Sequence, residues 1–191
     1  METKKLFYDI AYDNIHRRGI TAFLDYLDME TDFFTAPAST KYHGSYQGGL
    51  VMHSLEVYAQ FLKLAPIYNY DMANSILCES ATICTLFHDV CKINTYKESC
   101  RNIKDEKTGE WKSVPCYVND DKNVFGAHGA YSVYLINEYM HLNREETIAI
   151  YHHMGAWDIG KNDNPSKAYE CVKLAWLLHV ADEAATYIAG T

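Results

Sequence analysis

Apolar residues recur at helical spacing along most of the chain. Residues 4–29 mix apolar and charged positions at this spacing and break at Gly19, which predicts two short helices that cover one side of a core. A third helix is predicted from Leu50 to Leu64, where Pro66 ends it. The pattern therefore predicts a mainly helical protein.

A strongly apolar segment runs from Ile76 to Phe87 and ends in His88 and Asp89. It has no clear polar face, which is typical of a helix packed on most sides. His88 continues its apolar stripe, and Asp89 projects about 100° away around the helix. On a continuing turn Lys92 places an ammonium beside both, and a buried carboxylate needs such a partner. The pair is either a core histidine with a capping aspartate or part of a polar site.

Helix-start signals define more helices in the second half of the chain. Asn143 is followed three positions later by Glu146, which is the pattern of a capping box. Asn164 and Pro165 combine a cap residue with a first-turn proline. Three helices are predicted here. The first spans residues 130–140, the second runs from Asn143 to the pair His152-His153, and the third is continuous from Asn164 to about Ala189.

A short segment departs from the helical pattern. The sequence Lys107-Thr108-Gly109-Glu110 is typical of a turn and predicts a small β-hairpin around residues 101–118. Arg101 and its neighbours make this hairpin locally basic. The hairpin either closes over a substrate or is a decorated surface loop.

Length and composition limit the possible fold classes. A chain of 191 residues is long enough for one well-filled core, and a hydrophobic fraction of 48% excludes a largely disordered chain. We therefore predict one all-α domain over residues 1–191 with a small β-hairpin. Residues 1–30 would form a helical cover, and residues 31–189 would form the core.

Charge narrows the classes of partner. A formal charge of −8 argues against a surface for duplex nucleic acid or an anionic membrane, although a local basic cluster can still hold one phosphate. No apolar run approaches the length of a membrane span, and residues 1–10 lack the apolar region of a signal peptide. The six cysteines include no CxxC pair. We expect a cytoplasmic protein with reduced cysteines and a compact anionic substrate.

Residues 31–49 are rich in small, polar and aromatic side chains and show no periodicity. A loop of this length in a compact domain is often functional. It is interpreted either as the mouth of a pocket or as a packed surface loop. In the first case a lysine would face a phosphate and a tyrosine would stack on a base. The candidate substrate-binding residues are Lys41, Tyr42, His43 and Tyr46, together with Arg101 of the hairpin.

Several histidines and aspartates are predicted to point inward from helices. His53 shares a face with Val57 and Phe61, and Asp182 lies in the middle of an apolar stripe. Buried carboxylates without cations are costly, whereas a shared metal stabilises them. Imidazole and carboxylate ligands suit one or two divalent ions of iron, manganese, cobalt, nickel, zinc or magnesium. The inward candidates are His53, His88, Asp89, His128, His152 or His153, and Asp182.

The order of these residues resembles that of the HD superfamily of metal-dependent phosphohydrolases. The similar elements are Gly48-Gly49-Leu50 with His53, His88-Asp89-x-x-Lys92, His128, His152-His153 and Asp182. The resemblance implies that one metal is bound by His53, His88, Asp89 and Asp182. In two-metal members the intervening histidines hold the second ion, which implies His128 and one or both of His152 and His153 here.

The resemblance also implies an activity. Asp89 and the metal would activate water against a phosphomonoester or phosphodiester of a nucleotide or short oligonucleotide. Lys92 would orient or neutralise the phosphate, and Lys41 or Arg101 would assist. One alternative is a nucleotide-binding sensor without turnover. The other is a 3′-end exoribonuclease-like nuclease, because Gly-Gly-Leu and the histidine pair are similar to that branch, although its appended OB-fold has no counterpart in these 191 residues.

Overall fold

The computed structural model describes residues 2–41, 43–120, 125–158 and 163–190, and these residues are mostly helical. The prediction of an all-α fold with a small β-hairpin is confirmed. The helices are α1 (Glu2–Asn14), α2 (Ile20–Met29), α3 (Gly49–Ile67), α4 (Ser75–Phe87), α5 (His128–Asn137), α6 (Arg144–His152), α7 (Pro165–Cys171) and α8 (Lys173–Ala184). The strands are β1 (Tyr96–Lys104) and β2 (Trp111–Asn119).

The core lies between α3, α4, α6 and α8. Helix α3 packs against both α4 and α8, and α8 also packs against α6. Helix α1 covers α3 and α4, and its Phe7 ring lies 5.9 Å from the ring of Phe87, measured between centroids. Burial of such aromatic side chains is a major favourable term in folding. No described helix is both long enough and apolar enough to cross a membrane.

The hairpin is longer than predicted. Strands β1 and β2 pair in antiparallel register from Tyr96 opposite Asn119 to Lys104 opposite Trp111. Most of its side chains are exposed, so the hairpin adds little to the core. The prediction of a hairpin around residues 101–118 was therefore right about the turn, but β1 begins earlier than predicted, at Tyr96.

The prediction of one continuous last helix was wrong. Val172 adopts extended backbone dihedrals, φ −130° and ψ 101°, and this residue separates α7 from α8. Cys171 on α7 is exposed, whereas Asp182 on α8 is buried. A single π-helical turn, Ala185–Ala189, then follows α8. Because of this break, α7 and α8 do not continue one helical face. The apolar stripe predicted around Asp182 therefore faces the core only along α8.

The ends of other helices also differ from prediction, and α5 spans His128–Asn137 rather than residues 130–140. Helix α3 continues past Leu64 to Ile67 and includes Pro66, whose missing N–H removes one bond of the helical ladder one residue before the helix ends. Helix α4 ends at Phe87, and a separate 3₁₀ turn, Val90–Lys92, follows. The α4 end therefore presents His88 and Asp89 at a bend and not along a continuous helix.

Candidate metal centre

Five helical segments deliver side chains to one point in the interior. His53 comes from the first turns of α3, and Asp182 comes from the last turn of α8. All the contributing side chains are buried except that of His128, which is partly exposed. The convergent residues are His53, His88 and Asp89 after α4, His128 at the start of α5, His153 after α6, and Asp182.

Asp89 lies between two pairs of histidines. Its Oδ2 atom is 3.7 Å from Nε2 of His53 and 3.6 Å from Nε2 of His88. Its Oδ1 atom is 3.5 Å from Nε2 of His128 and 3.4 Å from Nε2 of His153. Each carboxylate oxygen of Asp89 therefore faces its own histidine pair.

Asp182 belongs to one of these halves. Its Oδ1 atom lies 3.0 Å from Nε2 of His53, without the alignment of a hydrogen bond, and 3.9 Å from Nε2 of His88. The first half of the cluster thus contains His53, His88, Asp182 and one oxygen of Asp89. The second half contains the other oxygen with His128 and His153. His153 borders both halves, because its ligand atom and those of His88 and Asp182 all lie within 4.8 Å of one another.

The atoms that face one another have no hydrogen-bond partners among the described residues. This is true of Oδ1 of Asp89 and of the Nε2 atoms of His53, His88, His128 and His153, all of which are buried. Buried polar atoms in folded proteins are normally paired, so a group of five such atoms needs an explanation. A cation fits, because lone pairs on nitrogen and carboxylate oxygen are the ligands that divalent metals use.

The chain also fixes the tautomers that a metal requires. Nδ1 of His88 donates to the carbonyl of Thr85 at 3.0 Å, and Nδ1 of His153 donates to the carbonyl of Ile150 at 2.6 Å. A carbonyl only accepts, so each Nδ1 carries a proton and each Nε2 keeps its lone pair. Burial lowers the pKa of His88 to about 4, which keeps this ring neutral.

A buried ion pair supports the centre. Nζ of Lys92 lies 2.5 Å from Oδ2 of Asp89, and Lys92 is only 8% exposed. Burial raises the pKa of Asp89, but the charge of Lys92 outweighs it and holds this pKa well below its usual range. Burial likewise lowers the pKa of Lys92, and the Asp89 carboxylate outweighs it and raises this pKa. Both groups are therefore charged, and Lys92 leaves a cation beside the cluster.

Two glycines allow the close packing that assembles the cluster. A Cβ atom at Gly129 would lie 2.4 Å from the carbonyl oxygens of Ile150 and Tyr151, so the start of α5 can approach α6 only without a side chain there. A Cβ at Gly49 would lie 2.0 Å from the carbonyl oxygen of Gly44. The first contact sets His128 beside His153, and the second holds the loop against α3.

His152 does not join the cluster. Its backbone carbonyl accepts from the Tyr169 hydroxyl at 2.9 Å, and its ring packs against that of Tyr151. Neighbouring helical residues project about 100° apart, so only one member of the pair can face the centre. The structure brings His153 there, and His179 donates from Nδ1 to the His153 carbonyl at 2.7 Å.

A family model described as HD domain matches residues 50–186, which is most of the chain and includes every residue of the cluster. The chain belongs to the HD domain family. This family indicates the metal-dependent phosphohydrolase superfamily, and the histidine and aspartate groups of this HD domain could hold a metal. No curated protein and no solved structure matched the chain.

The HD domain has an open cavity of about 420 Å³ above the cluster. Asp89, Lys92 and Asp182 line it, together with His43, whose ring lies 4.8 Å from that of His53. Burial lowers the pKa of His43 to about 4. The remaining lining residues were not singled out from the sequence as site residues: Met154, Trp157, Glu183, Thr186 and Tyr187.

Lys41, Tyr46 and Arg101, which were also predicted to bind substrate, do not line this cavity. Lys41 and Arg101 line a second groove of about 720 Å³, between the loop before α3 and the hairpin. Tyr46 is 47% exposed and lines neither of these two cavities. Tyr42 lies outside the described residues. The structure thus separates His43, which borders the cluster, from Lys41 and Arg101.

Sequence reasoning also missed Cys91. Its sulfur and ligand atoms of Asp89 and His128 all lie within 4.8 Å of one another. The sequence indicated only that the cysteines are reduced and form no CxxC pair. Its position between Asp89 and Lys92 was the signal that could have identified it as a neighbour of the cluster.

Proposed function

We propose that this HD domain hydrolyses a phosphomonoester or phosphodiester of a nucleotide or short oligonucleotide. The observation that carries the proposal is the set of five unpaired buried atoms around Asp89, which borders an open cavity with a buried ammonium, Lys92. Phosphoryl chemistry needs a cation site next to a positively charged group that can pair with the phosphate, and the cluster and Lys92 would provide both.

The two halves of the cluster define two ligand sets. His53, His88, Asp89 and Asp182 would hold one ion, and His128, His153 and Asp89 would hold a second. When bound, divalent ions supply positive charge that acidifies water and offsets the charge of a phosphate. His152 is not part of either proposed set, because its ring packs against Tyr151.

Lys92 would act on the phosphate. The Asp89 carboxylate keeps this ammonium charged and fixes it through a contact of 2.5 Å. Because Lys92 also lines the cavity, it would neutralise the non-bridging oxygens of a bound phosphate and orient the phosphorus toward the cluster. His43 on the cavity wall is neutral, so it would bind the phosphate through a hydrogen bond and not through a positive charge.

The test compares Asp89→Ala with Lys92→Ala. Asp89→Ala should lose both metal and hydrolysis, because it removes an oxygen from each half of the cluster. Lys92→Ala should keep its metal and slow the chemical step by about 100- to 1,000-fold. Metal content is measured by elemental analysis of anaerobically purified protein, and turnover is measured on a panel of nucleotides with each candidate metal.

Lys63→Ala is the matched control, since Lys63 is an exposed lysine on α3. It should keep wild-type metal content and turnover. Wild-type rates in both site variants would contradict the proposal. Nucleotide binding without product in every metal would instead support the sensor.

The groove of Lys41 and Arg101 favours a second candidate, a 3′-end nuclease that binds a longer strand. Its volume of about 720 Å³ and its two cations would suit additional phosphates. The charge of −8 opposes this candidate. Turnover on mononucleotides, dinucleotides and a single strand of about 20 nucleotides, at two salt concentrations, separates the two. A strong preference for the long strand, lost at high salt, would favour the nuclease.

A further inference from the structure

Two large aromatic side chains are exposed at the mouth of the cavity above the cluster. Trp157 is 78% exposed and Tyr187 is 69% exposed, and both line the cavity that Lys92 also lines. Large aromatic side chains bury much of their surface in most folded proteins. An exposed pair that borders a cavity lined by Asp89, Lys92 and Asp182 is therefore a candidate binding surface.

Each aromatic residue is tied by a short segment to a residue of the cluster. Trp157 ends the 3₁₀ turn Gly155–Trp157, which follows His153. Tyr187 lies in the π-helical turn that continues α8 beyond Asp182. Single π-helical turns are rare and are frequent at functional sites. The two aromatic rings thus enter the cavity from separate segments that also carry cluster residues.

The turn that carries Trp157 is held in place. Gly155 has φ +58°, and a Cβ there would lie 2.9 Å from Cε1 of His179. His179 in turn donates to the carbonyl of His153. The backbone N–H of Trp157 donates to the Met154 carbonyl at 3.2 Å. The backbone that carries the indole is therefore held close to the cluster, while the indole itself is exposed to solvent.

The two ends of the cavity differ in chemistry. The inner end presents Lys92 and the cluster, which suit a phosphate. The outer end presents Met154, Trp157 and Tyr187, which suit a flat apolar group. Glu183 also lines the cavity, and its carboxylate would repel a second phosphate there. A volume of about 420 Å³ suits one small ligand rather than a strand.

We propose that Trp157 and Tyr187 bind the base of a nucleoside monophosphate while its phosphate lies at the cluster. This inference rests on the proposed function and names the part of the substrate that gives affinity. Stacking of a base on an aromatic side chain does not depend on base identity, because every base has a flat face. The cavity should therefore select for the presence of a base more strongly than for its type.

The test is equilibrium binding, measured by calorimetry on protein as isolated, with non-hydrolysable phosphonate analogues that turnover cannot consume. The analogues are those of adenosine, guanosine, cytidine and uridine monophosphates and of ribose 5-phosphate. The wild type should bind the nucleotides about 5- to 150-fold more tightly than ribose 5-phosphate. Trp157→Ala and Tyr187→Ala should lose this preference and keep their metal content. Tyr187→Phe should retain it, because the ring remains.

Trp111→Ala is the matched control, since Trp111 is 68% exposed on β2 and does not line this cavity. It should bind nucleotides as the wild type does. Equal binding of ribose 5-phosphate and all four nucleotides by the wild type would overturn the inference, as would wild-type nucleotide affinity in both alanine variants. Hydrolysis of ribose 5-phosphate in the first case would leave the proposed function intact. A nucleotide preference without turnover would support the base site and contradict the proposed function.

Discussion

Glu146 and Asp89 are both buried, but their surroundings are very different. Glu146 accepts from Arg17 at 2.6 and 2.8 Å, from Ser80 at 2.6 Å, and from the Asn143 N–H at 2.8 Å. Asp89 accepts from Lys92 through one oxygen, while its other oxygen faces two histidine rings without a hydrogen bond. The chain completes the first cluster with its own groups and leaves the second one open.

The pKa shifts do not distinguish the two clusters. Burial raises the pKa of Glu146, but hydrogen bonds from Arg17, Ser80 and Asn143 together lower it below its usual value. The pKa of Asp89 moves in the same direction for a similar reason. The difference lies in the unpaired atoms, so the comparison teaches that an inventory of hydrogen-bond partners separates a structural carboxylate from a candidate ligand.

Glu146 and its partners Arg17, Ser80 and Asn143 form a closed cluster, and the cluster around Asp89 is the open one. The largest effect on stability is expected from the closed cluster. Glu146→Ala should lower the free energy of unfolding by about 3–5 kcal/mol, because it leaves the Arg17 guanidinium poorly paired. Glu79→Ala is the control, since Glu79 contacts the same Arg17 at 3.2 Å from a more exposed position and should cost about 0–1 kcal/mol. Urea unfolding measures both. Equal losses would show that the closed cluster has no special structural role.

The open cluster should respond to metal instead. At a free ion concentration of about 100 times Kd, bound metal should raise the free energy of unfolding by about 2.7 kcal/mol, which a chelator removes. Asp182→Asn should reduce this metal-dependent part, whereas Glu79→Ala should retain it. Urea unfolding with and without chelator measures the difference. A wild-type protein whose unfolding ignores the chelator would remove the contrast between the clusters.

A smaller effect tests whether the closed cluster acts as a unit. Asn143 and Asn74 both cap helices, and replacing either with Ala should cost about 1 kcal/mol. Asn143 also donates to Ser80 at 3.4 Å, so Asn143→Ala and Ser80→Ala should be non-additive. Asn74→Ala and Ser80→Ala should add. A double-mutant cycle from urea unfolding decides, and two additive pairs would argue against a network.

The smallest effect is on the pH dependence of stability. The pKa of Glu146 in the folded protein is lower than its usual 4.5, so its contribution is present above that pH and is lost as pH falls through the folded pKa. Glu146→Gln should flatten this part of the acid unfolding curve. The measurement is the difference between the acid unfolding curves of the wild type and the variant. Asp89 and Asp182 also have lowered pKa values, but they contribute equally to both curves. Parallel curves would contradict the assignment.

Local patterns explain how much of the fold was predictable. The capping box at Asn143 and Glu146 was read from adjacent positions, and the structure contains it. Arg17, the main partner of Glu146, is 129 positions away and could not be paired from periodicity. The break at Val172 was missed for a related reason: nothing in the local sequence marks it, and it lets α8 turn its apolar face to α3 and α6.

The same limit applies to the candidate site. The inward orientation of His53 and Asp182 followed from apolar neighbours at helical spacing, and both residues lie in the cluster. The choice between His152 and His153 depends on the rotation of α6, which tertiary contacts set. Trp157 and Tyr187 lie in short 3₁₀ and π-helical turns, where the α-helical period gives no orientation. Their place at the cavity became visible only in three dimensions.

The unequal exposure of the histidines has a kinetic consequence. His53 and His88 are fully buried, whereas the His128 side chain is 35% exposed. An ion held on the His128 side would exchange with solvent faster than one held between His53 and His88. If both proposed ligand sets hold an ion, mild chelation should therefore remove the ion beside His128 first.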